Sequence, residues 1–543
     1  MKKFIARHST LFFLIGGFFI CLSITLPYFH NGYFPTHDGE WAVVRASEMF
    51  REIRDYQFPP RYSGVLNSGY GYPLFNFAYP FPYYITTIIH AAHFGFVDSV
   101  KIIFVSSVFI SFIGMFFLSR VFWKSSLAGF LSGIFYILLP YHLVDLYVRG
   151  SIGESIAFAL YPLILLSCLG ILYKKYMNVS YFSLSILSGA LILNHNISAV
   201  YFGLIFAFYL IALFLAKRYK EAVTTFTGFA WGVLISAFFF VPALLEKKYI
   251  KLSKIPIADR NLYFVTLQKL LVPTWGYGAP IDANPFTYQI GIPQLVGFFS
   301  SIFIVKKLRA VEQFIIYSFI FLTVVLSFMM FSFTSFMWRL PLLSDINYPW
   351  TLLLPIGFLV SFLSGSLIYV KYKKIIVPTL LLAVIFLYGF YARPSGYINK
   401  GDLYYLTNHA TTTSSNELMP LWVKDEPVNM FKQKIEGKGE VSSLTYNSKR
   451  IEFLFTSDIS QRIVVNQIYY PGWSATVNDR RVKIYYNNKN GLINFEVPKG
   501  KSKVRLSFSE IPLRRAMNIT SLAAFVLLFL VFAIVELRKR IKK

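Results

Sequence analysis

The chain has 543 residues, of which 55% are hydrophobic, 19% aromatic and only 15% charged. A soluble chain carries roughly a quarter charged residues, so a soluble enzyme and a disordered protein are both excluded. The net charge of +27, from 53 Lys and Arg against 26 Asp and Glu, is on so apolar a chain a signal of topology and anionic lipid; no nucleic-acid partner is expected. The two cysteines, Cys21 and Cys168, fall inside apolar runs, which leaves no disulfide framework and no metal knuckle.

Crossing a hydrocarbon core of about 30 Å takes about 20 residues of helix, and the apolar runs predict about twelve such spans. The first, 10–28, follows Lys2, Lys3 and Arg7; it is too long for a removable signal peptide and lacks a small-residue cleavage site, so it reads as a retained helix with a cytoplasmic N-terminus. The others run 99–119, 126–142, 155–173, 179–193, 197–216, 222–244, 292–305, 313–334, 349–370, 375–391 and 516–537. Every second short connection is basic: Arg120/Lys124, Lys174/Lys175, Lys217/Arg218/Lys220, Lys306/Lys307/Arg309 and Lys371/Lys373/Lys374. With the N-terminal three and the tail Arg538–Lys543, this places both termini on the cytoplasmic side of a plasma membrane. The stretch Tyr83–Phe96 is too short to cross, and counting it would invert the basic connections; it reads as a re-entrant or interface-lying helix in the first outer loop, 30–98.

Three parts follow: a helical domain over 1–391 that carries that loop, a β-rich extracytoplasmic domain over 392–515, and a last helix with a basic tail over 516–543. In the second part, Arg450–Phe455 alternates apolar and polar residues, Asn478-Asp479 and Asn490-Gly491 are turn signals, and Phe495–Phe508 reads as strand, turn, strand, which suggests a β-sandwich-like unit.

No Asp, Glu, Lys or Arg falls in the middle of a span, whereas ion-coupled transporters place ionisable groups there. The polar chemistry sits in the outer loops instead. Pro35-Thr-His-Asp-Gly-Glu-Trp41 opens an amphipathic helix to about Asp55, with Arg45, Glu48, Arg51, Glu52 and Arg54 charged, expected to lie in the headgroup plane. His37, Asp38 and Glu40 stand at its start. Asp38 reads equally as a general base and as a helix N-cap; Glu40 fits a first-turn dipole partner better than a catalyst. Ser68–Tyr84, dense in Gly, Pro and aromatics, offers Tyr70 and Tyr72 for stacking on a sugar face or as an aromatic belt. Asp145, Arg149 and Glu154 are opposed charges at one helix junction: Arg149 clamps a phosphate, or the three brace one another. His195 serves a headgroup or is a satisfied interface histidine. Lys247, Lys248, Lys251, Lys254 and Arg260 make a later loop basic, and Trp338 and Arg339 flank another. Asp38, Glu40 and Asp145 could hold a divalent cation, though no spacing demands one.

These motifs carry a resemblance. His37-Asp38-Gly39-Glu40, Gly71–Tyr83, Asp145–Gly150 with Glu154, His195-Asn196, Tyr470-Pro-Gly-Trp473 and Val497-Pro-Lys-Gly500 resemble the 6-pyruvoyl-tetrahydropterin synthase-related membrane protein family, a YfhO-like branch of the GT-C integral-membrane glycosyltransferases. No zinc-binding histidine set or cysteine nucleophile suited to a pterin synthase is present. The resemblance implies a GT-C-like helical fold and transfer of a sugar from a polyprenyl-phosphate carrier to a cell-envelope glycan, lipid or protein at the outer face. It makes Asp38 the first choice of base and Glu40 the second, with Arg149 and His195 contacting carrier phosphate or sugar. Relatives often carry Arg after a late Pro-Trp pair; here the sequence is Pro349-Trp350-Thr351, so another cation must act or donor binding is altered. Two rival classes stay open: a flippase or exporter of lipid-linked sugars, and a non-catalytic scaffold of envelope assembly.

Overall fold

The computed structural model describes residues 2–279, 281–341 and 343–541, with side chains from residue 10 onward in the first helix. Lys542 and Lys543 of the basic tail, and the side chains of Lys2, Lys3 and Arg7, lie outside the described residues.

The chain starts with α1 (Lys2–Thr25), followed by α2 (Gly39–Arg54), a single turn α3 (Leu74–Phe77) and α4 (Phe81–Ala91). A run of long helices comes next: α5 (Phe96–Trp123), α6 (Ser126–Ile137), the short α7 (Pro140–Val144), α8 (Ile152–Leu172), α9 (Met177–Asn194), α10 (Asn196–Leu215) and α11 (Tyr219–Glu246). After a one-turn α12 (Leu267–Leu271) come α13 (Ile292–Ile304), α14 (Ala310–Met329), α15 (Leu353–Leu363), α16 (Lys373–Tyr388), the short α17 (Asp402–Leu406) and, beyond the strands, α18 (Pro512–Ile541).

Among the described residues ten helices are long and apolar enough to cross a membrane. The two remaining expected spans differ for identifiable reasons. Pro140 lacks an N–H and starts a new helix, so the run from Ser126 breaks after Ile137 and bends by 45° into Pro140–Arg149. α13 has 13 residues, about 20 Å of helix. α4, at 11 residues, is likewise too short to cross and packs on α2 and α5.

Close helix contacts rest on small residues. A Cβ on Gly232 of α11 would lie 2.6 Å from the Ser185 carbonyl and 2.7 Å from the Gly189 nitrogen of α9. Ser185/Gly189 and Gly228/Gly232 are four-residue small pairs on facing helices, the spacing that lets backbones touch. Pro242 inside α11 leaves the Phe238 carbonyl without its helical donor; buried Arg61 supplies one at 2.8 Å.

The strands form two antiparallel sheets. One has the order β2 (Glu440–Tyr446), β3 (Arg450–Ser457), β8 (Gly500–Phe508), β5 (Trp473–Val477), β6 (Arg480–Val482). The other is β1 (Ile435–Glu436), β4 (Gln461–Ile468), β7 (Leu492–Val497). Ile451, Phe453 and Phe455 of β3 and Val504, Leu506 and Phe508 of β8 alternate inward, the period-2 pattern read from the sequence. Asn478 and Asp479 take left-handed backbone and close the β5–β6 hairpin. Asn490-Gly491 lies in a turn, with Gly491 N–H donating to the Asn488 carbonyl at 3.2 Å and Tyr485 pairing antiparallel with Asn494 across it; that single bridge leads into β7, while β6 ends earlier, at Val482. β7 and β8 follow the expected strand–turn–strand order but join different sheets.

α2 departs from expectation. Its two later carboxylates are not solvated, because the segment 57–72 covers them: Glu48 accepts hydrogen bonds from Ser63 and Arg51, both at 2.6 Å, and Glu52 accepts one from Gln57. Burial pushes both carboxyls above their ordinary range. The same segment docks on the strands, with Tyr62 donating to the Ile468 carbonyl at 2.7 Å and Ile468 N–H to that of Tyr70 at 2.8 Å.

Candidate functional site

The site forms where the start of α2 meets the residues just before α8. His37 and Asp38 donate their backbone N–H groups to the carbonyls of Val148 and Arg149, at 2.9 and 2.8 Å. Gly150 permits this approach: its φ is +63°, and a Cβ there would lie 2.3 Å from the Thr36 hydroxyl. That hydroxyl accepts the Gly39 N–H at 2.9 Å, which is the work of a cap. Asp38 occupies the N-cap position, yet its side chain makes no capping hydrogen bond among the described residues. The carboxylate is 43% exposed and faces a cavity of about 470 Å³.

Arg149 stands beside it. Its guanidinium lies over the Trp350 ring at 4.8 Å and donates to Glu154 at 2.5 Å and to the Tyr141 hydroxyl at 2.9 Å. Asp145 is 3.8 Å away, and the second terminal nitrogen reaches Asp38 at 4.0 Å. The planar fork explains arginine here: one edge is held by buried acceptors, one face by the indole, and the remaining edge reaches the cavity. Arg45 is the second cationic side chain on the wall. It lies seven residues after Asp38, on the same helical face, and donates to the Thr412 hydroxyl at 3.1 Å and to its carbonyl. Tyr79, Tyr83 and Trp350 add aromatic surface, and Glu417 a second carboxylate.

His195 separates α9 from α10 and lines the cavity, its ring against Tyr79 at 5.2 Å. Its Nδ1 accepts the Ser198 N–H, so the neutral ring carries its proton on Nε2. Burial, the largest cause, pushes its pKa from 6.5 down to about 4 against the opposing pull of Glu154. The folded chain therefore binds fewer protons than the unfolded one, and stability falls as pH drops from 6.5 towards 4. In His195→Gln that acid-side slope should flatten, a change measured as the unfolding midpoint against pH.

The other sequence-predicted residues take different places. His37 lines the cavity and hydrogen-bonds the Tyr277 carbonyl at 2.9 Å. Glu40 turns away from it, accepting from Lys400 at 3.1 Å and Tyr405 at 3.2 Å. Asp145 and Glu154 lie buried behind Arg149, Asp145 accepting from Ser155 at 2.6 Å and Glu154 from Tyr141 at 2.7 Å. Tyr70 and Tyr72 face the strand domain: Tyr70 packs on Phe431, and buried Tyr72 meets Thr412 at 3.0 Å. With Glu40 and Asp145 so engaged, Asp38, Glu40 and Asp145 do not converge on one point; no group of three His, Cys, Asp or Glu suited to a metal ion occurs among the described residues. In the basic loop Lys247 pairs with Asp345 at 2.6 Å and Arg260 holds three carbonyls, those of Ile346, Trp338 and Ser344. Thr351, the residue that follows Pro349-Trp350, is buried and bonded to the Tyr201 hydroxyl at 2.6 Å. Arg45, Tyr79 and Tyr83 were missed as site residues; the spacing of Asp38 and Arg45 along one helix face would have flagged the first.

The family model described as "6-pyruvoyl-tetrahydropterin synthase related domain; membrane protein" matches residues 75–395, and that of "Bacterial membrane protein YfhO" matches residues 397–520. No curated protein matches the chain. Among solved structures, the oligosaccharyltransferase AglB of Archaeoglobus fulgidus, in complex with an inhibitory peptide and a dolichol-phosphate, is 13% identical with a TM-score of 0.47, covering 80% of this chain and 62% of that one. The mycobacterial arabinofuranosyltransferase AftD is 13% identical with a TM-score of 0.45, covering 73% and 28%. ArnT of Cupriavidus metallidurans bound to undecaprenyl phosphate is 12% identical with a TM-score of 0.41, covering 70% and 63%. This chain thus spans less than two thirds of the length of each. Matched over more than half its length by the first model, the chain belongs to the 6-pyruvoyl-tetrahydropterin synthase-related family of membrane proteins.

Proposed function

We propose that this protein is an integral-membrane glycosyltransferase that moves a sugar from a polyprenyl-phosphate carrier to a cell-envelope acceptor at the outer face of the plasma membrane. The observation that carries the reading is the Asp38 carboxylate, relieved of capping by Thr36 and turned into a cavity beside Arg149. Asp38 takes the proton of an acceptor hydroxyl, the oxygen bonds to the anomeric carbon, and the bond from that carbon to the carrier phosphate breaks. Arg45 and Arg149 stabilise the charge that grows on the departing phosphate, and the Nε2–H of His195 is placed to donate to the same group or to the sugar. Both termini lie inside the cell and the strand domain outside it, as the basic connections suggest.

The helical span Pro349–Tyr369, which runs on from the cavity at Trp350, is apolar and buried up to Tyr369; a flippase would need a polar path there. The test uses purified protein in liposomes with a panel of polyprenyl-phosphate sugars and a crude envelope acceptor. Release of free carrier with at least one sugar is expected; movement of intact lipid-linked sugar without release would favour the flippase.

A further inference from the structure

The cavity is not closed by the helical part alone. One wall is the segment 411–417, between α17 and β1, which comes from the part of the chain matched by the second family model. Thr412 is its anchor: Arg45 holds its hydroxyl and carbonyl, and Tyr72 its hydroxyl and N–H. That grip sets the next residues over the cavity. Thr413 is only 8% exposed, lines the cavity, and its hydroxyl has no hydrogen-bond partner among the described residues. A buried hydroxyl left unpaired is costly, so the site is built for a group that supplies the bond. Ser414 adds an exposed hydroxyl, and Glu417 a half-buried carboxylate that accepts the Ser415 N–H at 3.0 Å.

The chemistry of this wall differs from that of the arginines beside it. Arg45 and Arg149 suit a phosphate; Glu417 would repel one. A carboxylate accepts hydrogen bonds from ring hydroxyls, a threonine and a serine both donate and accept, and Tyr79, Tyr83 and Trp350 offer flat apolar faces. Together they recognise a hydroxyl-rich pyranose and not the carrier that bears it. We infer that Thr413, Ser414 and Glu417 form the sugar-recognition wall of this site, an inference that rests on the transferase reading and assigns to the strand-bearing part of the chain the choice of sugar. Both the donor sugar and a sugar of the acceptor present this chemistry.

Full-length Glu417→Gln and the near-isosteric Thr413→Val test it, each checked for an unfolding midpoint no lower than that of the wild type. KM for one sugar-bearing substrate should rise about tenfold, while binding of sugar-free polyprenyl phosphate stays at the wild-type level. A rise confined to the donor assigns the wall to the donor sugar, and one confined to the acceptor assigns it to the acceptor. No change in either KM, or an equal loss of sugar-free carrier binding, overturns the wall. Should the wild type release no carrier at all, the transferase reading fails by itself; the wall is then decided by binding of methyl glycosides of common hexoses, weakened in Glu417→Gln if the inference holds and equal to wild type if it does not.

Discussion

Asp38→Asn is expected to slow carrier release by about 10² to 10⁴-fold, the range for loss of a positioned general base, with binding of the polyprenyl-phosphate sugar retained. Asparagine keeps the size and most hydrogen bonds of aspartate but cannot take a proton. It is also as good an N-cap as aspartate, so if Asp38 only capped α2 the exchange would be silent. The structure makes the variant clean: Thr36 holds the first turn, and the Asp38 carboxylate is half-exposed and carries no capping bond. Parallel assays of carrier release and carrier binding on the same preparations separate the outcomes. A wild-type rate would remove Asp38 from the chemistry, and loss of binding would make it a substrate contact.

The largest effect on stability is expected from Glu246→Ala. Glu246, the last residue of α11, is buried and accepts four hydrogen bonds: two from Arg514 of α18 at 2.8 and 2.6 Å, one from Tyr470 at 2.7 Å and one from Asn76 at 3.1 Å. Arg514 is itself fully buried, and one of its terminal nitrogens already lacks a partner among the described residues. Removing the carboxylate strands a buried guanidinium together with a tyrosine hydroxyl, and breaking such a pair costs about 3–5 kcal/mol. Denaturant unfolding in detergent should register that loss. Replacing both partners, Glu246→Leu with Arg514→Leu, should recover much of it, since no buried charge is left unpaired. A single variant within about 0.5 kcal/mol of wild type would show that the junction of α11, α18 and the strand domain is held by packing alone.

The helices and strands were legible because each is a short-range property. A run of 20 apolar residues or a period-2 alternation is written in consecutive positions; Pro140 stands there too, but the apolar run over 126–142 read as one span, and the bend at Pro140 came from the structure. What sequence left open is set by contacts between distant segments. Glu48 and Glu52 looked like a solvated face of α2, and only the covering segment with Ser63 and Gln57 makes them buried. Asp38 read equally as cap and base until its carboxylate was seen to make no capping bond while the Thr36 hydroxyl takes the Gly39 N–H. Tyr70 and Tyr72 stood in the same aromatic run as Tyr79 and Tyr83, and nothing in composition says which pair turns to the cavity and which to the strands. Arg149 with Glu154 is an intermediate case: their opposed charges five residues apart suggested the pairing, while the reach to Asp38 depends on the backbone bonds that join residues 37–38 to 148–149. Glu417 carried no signal at all, because its place on the wall is fixed by Thr412 gripping α2 from several hundred positions away.

Direct displacement at the anomeric carbon by a hydroxyl that one carboxylate activates has a stereochemical signature. The wild-type protein, given a polyprenyl-phosphate sugar of known anomeric configuration and its acceptor, should yield a product whose anomeric centre, read by NMR, is inverted. A product of retained configuration would contradict the account, since single back-side displacement by a base-activated hydroxyl inverts the anomeric centre.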